Sequence, residues 1–308
     1  MSDVLASASP ITATRRTTRI GAAARAYFQL TKPRVIELLL VTTLPAMILA
    51  AGELPSLLLV GEVLLGGALA AGGANTINCW IERDRDHLMR RTRNRPLPSG
   101  SVDPLRALVF GLALEIVAFA LLWSTVNLLS ATLAVSATLF YVFVYTIWLK
   151  PRSPQNIVIG GAAGAVPVLV GWAAVTGHVG AGAWVLFAIV FFWTPPHFWA
   201  LSLRYHDDYA AAGIPMLPVV RGTAVAARQI VTYAVVVVGV TFTLLAAEPM
   251  GGIYVAAAAV LGAAFVWAAV GLLRDPTPQR AIRLFTFSNT YLALLFAAVA
   301  VDVLVRTA

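Results

Sequence analysis

Apolar runs of about 20 residues, long enough to cross a hydrocarbon core, recur along almost the whole of this 308-residue chain. Nearly every gap between them carries a helix breaker: Gly52, Pro55, Pro98, Pro104, Pro151, Pro154, Gly177, Gly180, Pro215, Pro218, Gly222, Pro249, Gly251, Pro276 and Pro278. The pattern predicts an all-α membrane protein of nine spanning helices. They fall over about residues 35–51, 55–79, 105–125, 127–149, 155–176, 182–204, 226–247, 252–273 and 284–305. Composition agrees: 59% of residues are hydrophobic and only 12% charged, too few for the polar surface of a water-soluble domain of this size. No stretch outside the runs is large enough for a second domain, so residues 27–308 are expected to form one. Residues 1–26, rich in Ser, Thr, Ala and Arg, are expected to form a flexible cytoplasmic tail rather than a cleaved signal peptide.

The basic residues set the orientation. Of 22 Lys and Arg, 21 fall before the first span or in or at the edges of alternate connectors, and only Arg306 falls on the other side. By the positive-inside rule the N-terminus is cytoplasmic, the C-terminus is outside, and the two longest connectors, about 80–104 and 205–225, face the cytoplasm. The net charge of +8 is thereby read as a topology signal and as contacts for anionic headgroups or substrates, not as a nucleic-acid surface. A single cysteine, Cys79, excludes intrachain disulfides and a cysteine metal cluster.

Polar chemistry gathers at that same face. At the end of the second span, Asn78, Glu82 and Asp86 stand four residues apart and share a helix face, drifting about 40° per step. An amide oxygen and two carboxylates in register make an open site for a hard cation such as Mg²⁺, with substrate phosphate completing the shell. Arg90, Arg91, Arg93 and Arg95 follow at once, leading into Pro96-Leu97-Pro98-Ser99-Gly100. The plainer reading is a charged helix end whose acids and arginines pair in solvent, but topology alone requires the arginines and not the oxygens. A second cluster closes the sixth span, where a continued helix would bring His197, Arg204 and Asp208 within about 20° of one line. Pro195 and Pro196 just before His197 are expected to distort the helix. His197 lies inside an apolar run, where an ionisable group is costly enough to suggest a function; it also fits as a packed side chain bonded to a carbonyl. Asp207 and Asp208 fit a solvated loop pair as well as a binding pair. Neither cluster is specific alone. Together they outline a chamber for a magnesium diphosphate.

The pattern Asn78-x-x-x-Glu82-x-x-x-Asp86 followed by RTRNRPLPSG resembles the first signature of the UbiA-type intramembrane prenyltransferases, and the stretch ending in Asp207-Asp208 resembles their second. The likeness runs from about Tyr27 to the C-terminus. Within that superfamily, LTKPRVIELLLVTTLPAMILA, YTIWLKPRSPQNIVIGGAAGAVPVLVGWAAVTG and PPHFWALSLRYHDDYAAAGIPMLPVVRG resemble the protoheme IX farnesyltransferases, or heme O synthases. Glu82 departs from the aspartate common at its place, which keeps the charge on a longer arm. The resemblance implies nine helices around a central cavity, in a multi-pass protein of the cell membrane. It implies transfer of farnesyl from farnesyl diphosphate to the 2-vinyl group of heme B, giving heme O and diphosphate.

It further implies Asn78, Glu82, Asp86, Asp207 and Asp208 as catalytic residues, with Mg²⁺ held by Asn78, Glu82, Asp86 and Asp208. Lys32, Arg91, Arg95, Lys150 and Arg204 would contact diphosphate. Tyr141 and Tyr145, with Trp193 and Trp199, would offer π faces to an allylic cation, though each also fits ordinary packing. His197 would meet the heme iron, ahead of His206, His87 and His178. Heme B is substrate and not prosthetic group. Farnesyl diphosphate and membrane lipid are the other implied partners, with a downstream heme-modifying enzyme or terminal oxidase assembly as a further candidate. Gly160, Gly161 and Gly164 are expected to serve close helix packing. Rival readings are a quinone-precursor prenyltransferase of the same fold and a transporter or heme carrier. Gathering of the acids at one face favours catalysis over transport.

Overall fold

The structure, a computed structural model, describes residues 11–307. Residues 1–10 of the expected tail lie outside the described residues. From Ile11 to Leu30 the chain forms a first helix, α1. The rest is helical throughout: α2 (Pro33–Ala51), α3 (Leu57–Asp86), α4 (Pro104–Thr125), α5 (Leu128–Leu139), α6 (Asn156–Thr176), α7 (Ala181–Arg204), α8 (His206–Ala211), α9 (Leu217–Arg221), α10 (Thr223–Ala247), α11 (Gly252–Arg274) and α12 (Pro278–Thr307). Among the described residues eight helices are long and apolar enough to cross a membrane, and α2 adds a shorter apolar stretch, Val41–Ala51. Their outer faces carry large apolar side chains; Trp267 is 79% exposed, which fits lipid rather than water as its neighbour.

The breakers act as expected at the helix ends. Gly52 and Gly177 take the left-handed conformation (φ 73° and 71°) and return their N–H groups to Ile48 and Ala173. Ser56, Asp103 and Asn127 each accept a backbone N–H three residues on, capping α3, α4 and α5. Several elements differ from the sequence expectation: α1 covers part of the expected tail, and α12 begins at Pro278, six residues before the expected start. α3 runs to Asp86, seven residues past the expected end, because no Gly or Pro interrupts residues 74–95. α5 passes without a break into a π-helical stretch, Phe140–Leu149. α7 continues through Pro195 and Pro196 to Arg204 without a break.

Successive helices pack as neighbours from α2 to α7 and on through α10, α11 and α12, and α12 returns to α2 and α7. The ring is thereby closed. Close approach of α3 and α4 depends on missing side chains: a Cβ on Gly73 would lie 2.8 Å from the Gly111 carbonyl oxygen. At Gly160 of α6 a Cβ would overlap the Tyr145 ring, and at Gly161 it would come within 3.0 Å of Thr194. Gly164 meets nothing within 4 Å, so the expected packing role holds for the first two glycines only.

Candidate active site

α3 brings Asn78, Glu82 and Asp86 to one buried face, with exposures of 1%, 4% and 4%. Each meets a basic side chain from a different part of the chain. The Lys32 ammonium donates to Asn78 Oδ1 at 2.6 Å. Lys150, directly after the π-helical stretch, forms an ion pair with Glu82. Arg95, in the connector after α3, donates to Asp86 Oδ2 at 2.8 Å.

Local structure aims these cations. Lys32 joins α1 to α2 in the left-handed region (φ 53°), the only non-glycine residue there among the described residues. That conformation costs about 1–3 kcal/mol, and it places the amine on Asn78. The π-helical register lets Thr146 donate to the carbonyl of Tyr141, five residues back, at 2.8 Å, while accepting from Asn78 Nδ2 at 3.0 Å. π-helical turns are rare and concentrate at functional sites. This one stacks Tyr141 on Tyr145 (centroids 5.4 Å apart) and sets the Lys150 ammonium 5.8 Å from the Tyr145 ring. The connector carrying Arg95 folds inward, with Met89, Thr92 and Leu97 buried, and Thr92 Oγ1 bonds the Asp86 carbonyl at 2.9 Å.

The ion pairs govern protonation. For Lys150 burial opposes the charge, but Glu82 outweighs it and holds the pKa above the ordinary lysine value. Burial likewise opposes Arg95, and Asp86 more than compensates, so its pKa is raised. Lys32 donates to a neutral amide, and burial, which outweighs the charges around it, pushes its pKa down.

The second cluster is assembled differently from the expectation. α7 ends at Arg204, and Tyr205 (φ −114°, ψ 32°) turns the chain into α8, so His197, Arg204 and Asp208 do not share one helix face. Asp208 Oδ2 accepts the Arg91 backbone N–H at 3.1 Å, clasping α8 to the connector after α3. The Arg91 guanidinium lies 5.5 Å from the Tyr205 ring and 3.4 Å from the Tyr209 hydroxyl. Asp207 is fully exposed and paired with His206 at 3.1 Å, and Arg204 is exposed over Tyr205; neither joins the buried cluster. His87 and His178 are exposed as well.

His197 is buried on α7. Its Nδ1 lies 2.7 Å from Ser288 Oγ of α12, and its ring stacks with Trp193 and Phe285. Trp193 therefore serves His197, while Trp199 turns the other way, edge-on to Tyr233 of α10. Thr146 and Ser288 went unpredicted, since a lone hydroxyl in an apolar run gives no sequence signal of its own.

Among the described residues no three His, Cys, Asp or Glu side chains form a metal cage, and Asp208 is turned to the Arg91 amide rather than gathered with Glu82 and Asp86. The donors present still fit a hard cation of the Mg²⁺ kind. Two buried carboxylates and an amide oxygen on one face, with the neighbouring Cys79 thiol turned to the Leu30 carbonyl, suit an ion that keeps waters and phosphate oxygens in its shell.

A buried row of acids and cations thus lies at one end of a helical membrane ring, and comparison identifies the class. The UbiA prenyltransferase family matches residues 39–296, and the chain belongs to that family; it is a transferase and a multi-pass membrane protein. Among its relatives, the protoheme IX farnesyltransferase of Frankia alni is 53% identical over 91% of this chain and 98% of its own length. That of Gloeobacter violaceus is 52% identical over 94% and 95%. In fold the chain resembles a solved digeranylgeranylglyceryl phosphate synthase (TM-score 0.74, 18% identity, 91% of this chain and 98% of that one). It also resembles a UbiA homolog from Archaeoglobus fulgidus bound to GPP and Mg²⁺ (TM-score 0.65, 18% identity, 89% and 99%).

Proposed function

We propose that this chain transfers farnesyl from farnesyl diphosphate to the 2-vinyl group of heme B, forming heme O and releasing diphosphate. The observation that carries the diphosphate half is the pairing of Lys32, Lys150 and Arg95 with Asn78, Glu82 and Asp86. Three cations against two carboxylates leave a positive excess, which attracts an anionic magnesium diphosphate. The acceptor half rests on the heme-farnesylating relatives and on His197.

Substrate entry exchanges partners in pairs. Lys150, Arg95 and Lys32 turn from the α3 oxygens to phosphoryl oxygens, and Asn78, Glu82 and Asp86 become free to hold Mg²⁺, while Asp208 of α8 holds the Arg91 amide. Bound Mg²⁺ would supply Lewis-acid stabilisation of the departing diphosphate. The cations neutralise charge as it grows on the leaving oxygen. The C–O bond breaks with its electron pair going to diphosphate, and the Tyr141–Tyr145 pair offers π density to the allylic cation. The vinyl electron pair of the heme then forms the new C–C bond. Water captures the resulting cation and releases a proton, giving the hydroxyethylfarnesyl group. His197 meets the heme iron and orients the acceptor.

The same reading makes α2 a ninth span around a central cavity, with the N-terminus cytoplasmic and the C-terminus outside. It places the protein in the cell membrane, upstream of an enzyme or oxidase assembly that takes up heme O. Incubating the purified protein with heme B, farnesyl diphosphate and Mg²⁺ should yield a heme of heme O mass. Unchanged heme B, with a prenylated quinone precursor formed in a parallel assay, would overturn the proposal.

A further inference from the structure

The surroundings of His197 decide more than its burial. Trp193 stacks on the imidazole at 4.3 Å between centroids and 23° between planes, and Phe285 of α12 at 4.4 Å and 28°. Two rings stacked so closely cannot share a face, so both faces of the imidazole are covered. Phe198 adds an edge contact at 5.1 Å. Only in-plane positions remain for chemistry; Nδ1 lies 2.7 Å from Ser288 Oγ, and the Phe285 carbonyl is also within reach of the imidazole.

Ser288 fixes which proton lies on that line. Its hydroxyl donates to the Phe285 carbonyl oxygen at 2.7 Å, which uses the only proton it has. Toward His197 it can then only accept, so Nδ1 carries the imidazole N–H. A neutral imidazole has one N–H, and Nε2 is left with its lone pair. The same residue is pinned from a second side, since Trp193 Nε1 donates to the Ser288 carbonyl oxygen at 2.8 Å. One turn of α12 and one of α7 are thus locked around a single ring orientation and a single tautomer. Helical serines commonly bond a carbonyl of the preceding turn; the histidine and tryptophan bonds go beyond what that habit explains. Iron-binding histidines are held in this manner, the distal N–H given to an acceptor so that the other nitrogen faces metal.

We infer that Ser288 is a positioning residue that holds His197 in the Nδ1–H tautomer and presents Nε2 to the iron of the heme substrate. This rests on the reading of His197 as the iron-facing residue, and the test separates the two. Heme B is bound to the purified wild type and to the His197→Ala, Ser288→Ala and Ser288→Thr variants. Affinity is measured by titration, and the iron–histidine stretch by resonance Raman of the ferrous complex. Ser288→Ala should weaken heme binding by about tenfold and shift the stretch, Ser288→Thr should restore both, and farnesyl diphosphate affinity should stay unchanged. Should the alanine variant not fold, Ser288→Cys, a weaker acceptor of similar size, should shift the stretch in the same direction by less. A stretch lost in His197→Ala but unmoved in Ser288→Ala or Ser288→Cys would overturn the inference while leaving His197 as ligand. An unchanged spectrum in His197→Ala would remove both.

Discussion

Buried carboxylates sit at opposite ends of the helical ring, one at one end and two at the other, and they are bonded in different ways. At one end Asp302 of α12, 1% exposed, accepts backbone N–H groups from Gly251 at 2.6 Å and Tyr254 at 3.1 Å, and the Arg306 side chain at 3.1 Å. It caps the first turn of α11. At the other end the Glu82 and Asp86 side chains accept from Lys150 and Arg95, long-chain cations, and among the described residues from no backbone N–H. A carboxylate bonded to backbone amides cannot let go without leaving a helix end unsatisfied. A carboxylate bonded only to mobile cations can trade them for a metal while the cations take a phosphate. The first arrangement holds a fold together, and the second is ready for exchange.

Substitutions at the two ends should therefore fail in different assays. The largest effect on turnover is expected from Asp86→Ala: heme O formation should fall on the order of 10²–10³-fold, with the protein still folded in detergent. Near-normal turnover at saturating Mg²⁺ would break the comparison. Chelating divalent metal should stop turnover of the wild type in the same assay while leaving its melting temperature in place. A metal-dependent melting temperature would instead assign the ion a structural role.

Lys150→Met should strand Glu82 and cost about 3–5 kcal/mol of stability. The double variant Glu82→Gln, Lys150→Met should recover most of that stability and none of the turnover, as read by melting and product formation side by side. Asp302→Ala should do the reverse, costing about 1–3 kcal/mol through unsatisfied N–H groups with kcat nearly retained. The smallest effect is expected at exposed Asp207, where Asp207→Asn should leave turnover about as it is.

How much of this the sequence disclosed follows from what sequence patterns can encode. Apolar runs and breakers placed the spans closely, because Gly52 and Gly177 act through their own backbone. The shared face of Asn78, Glu82 and Asp86 was legible because four-residue spacing is a property of one helix, and α3 keeps that helix to Asp86. The line from His197 to Asp208 failed at Tyr205, where no Gly or Pro announces the turn. The π-helical register of Phe140–Leu149 was invisible, since apolar and aromatic residues satisfy either helix. Asp302 drew no notice because its partners, Gly251 and Tyr254, lie at the start of another helix about 50 residues earlier. Pairings across elements, Lys32 with Asn78 above all, emerge only once the ring closes.

Whether the α3 cluster is an exchange site or a set of permanent ion pairs can be measured directly. A non-ionising farnesyl diphosphate analogue is titrated calorimetrically into the wild type, Asp86→Asn and Asp302→Asn, each with and without Mg²⁺. The exchange account predicts that Mg²⁺ strengthens binding to the wild type and to Asp302→Asn, and that Asp86→Asn loses this dependence. Equal Mg²⁺ dependence in all three proteins would contradict it.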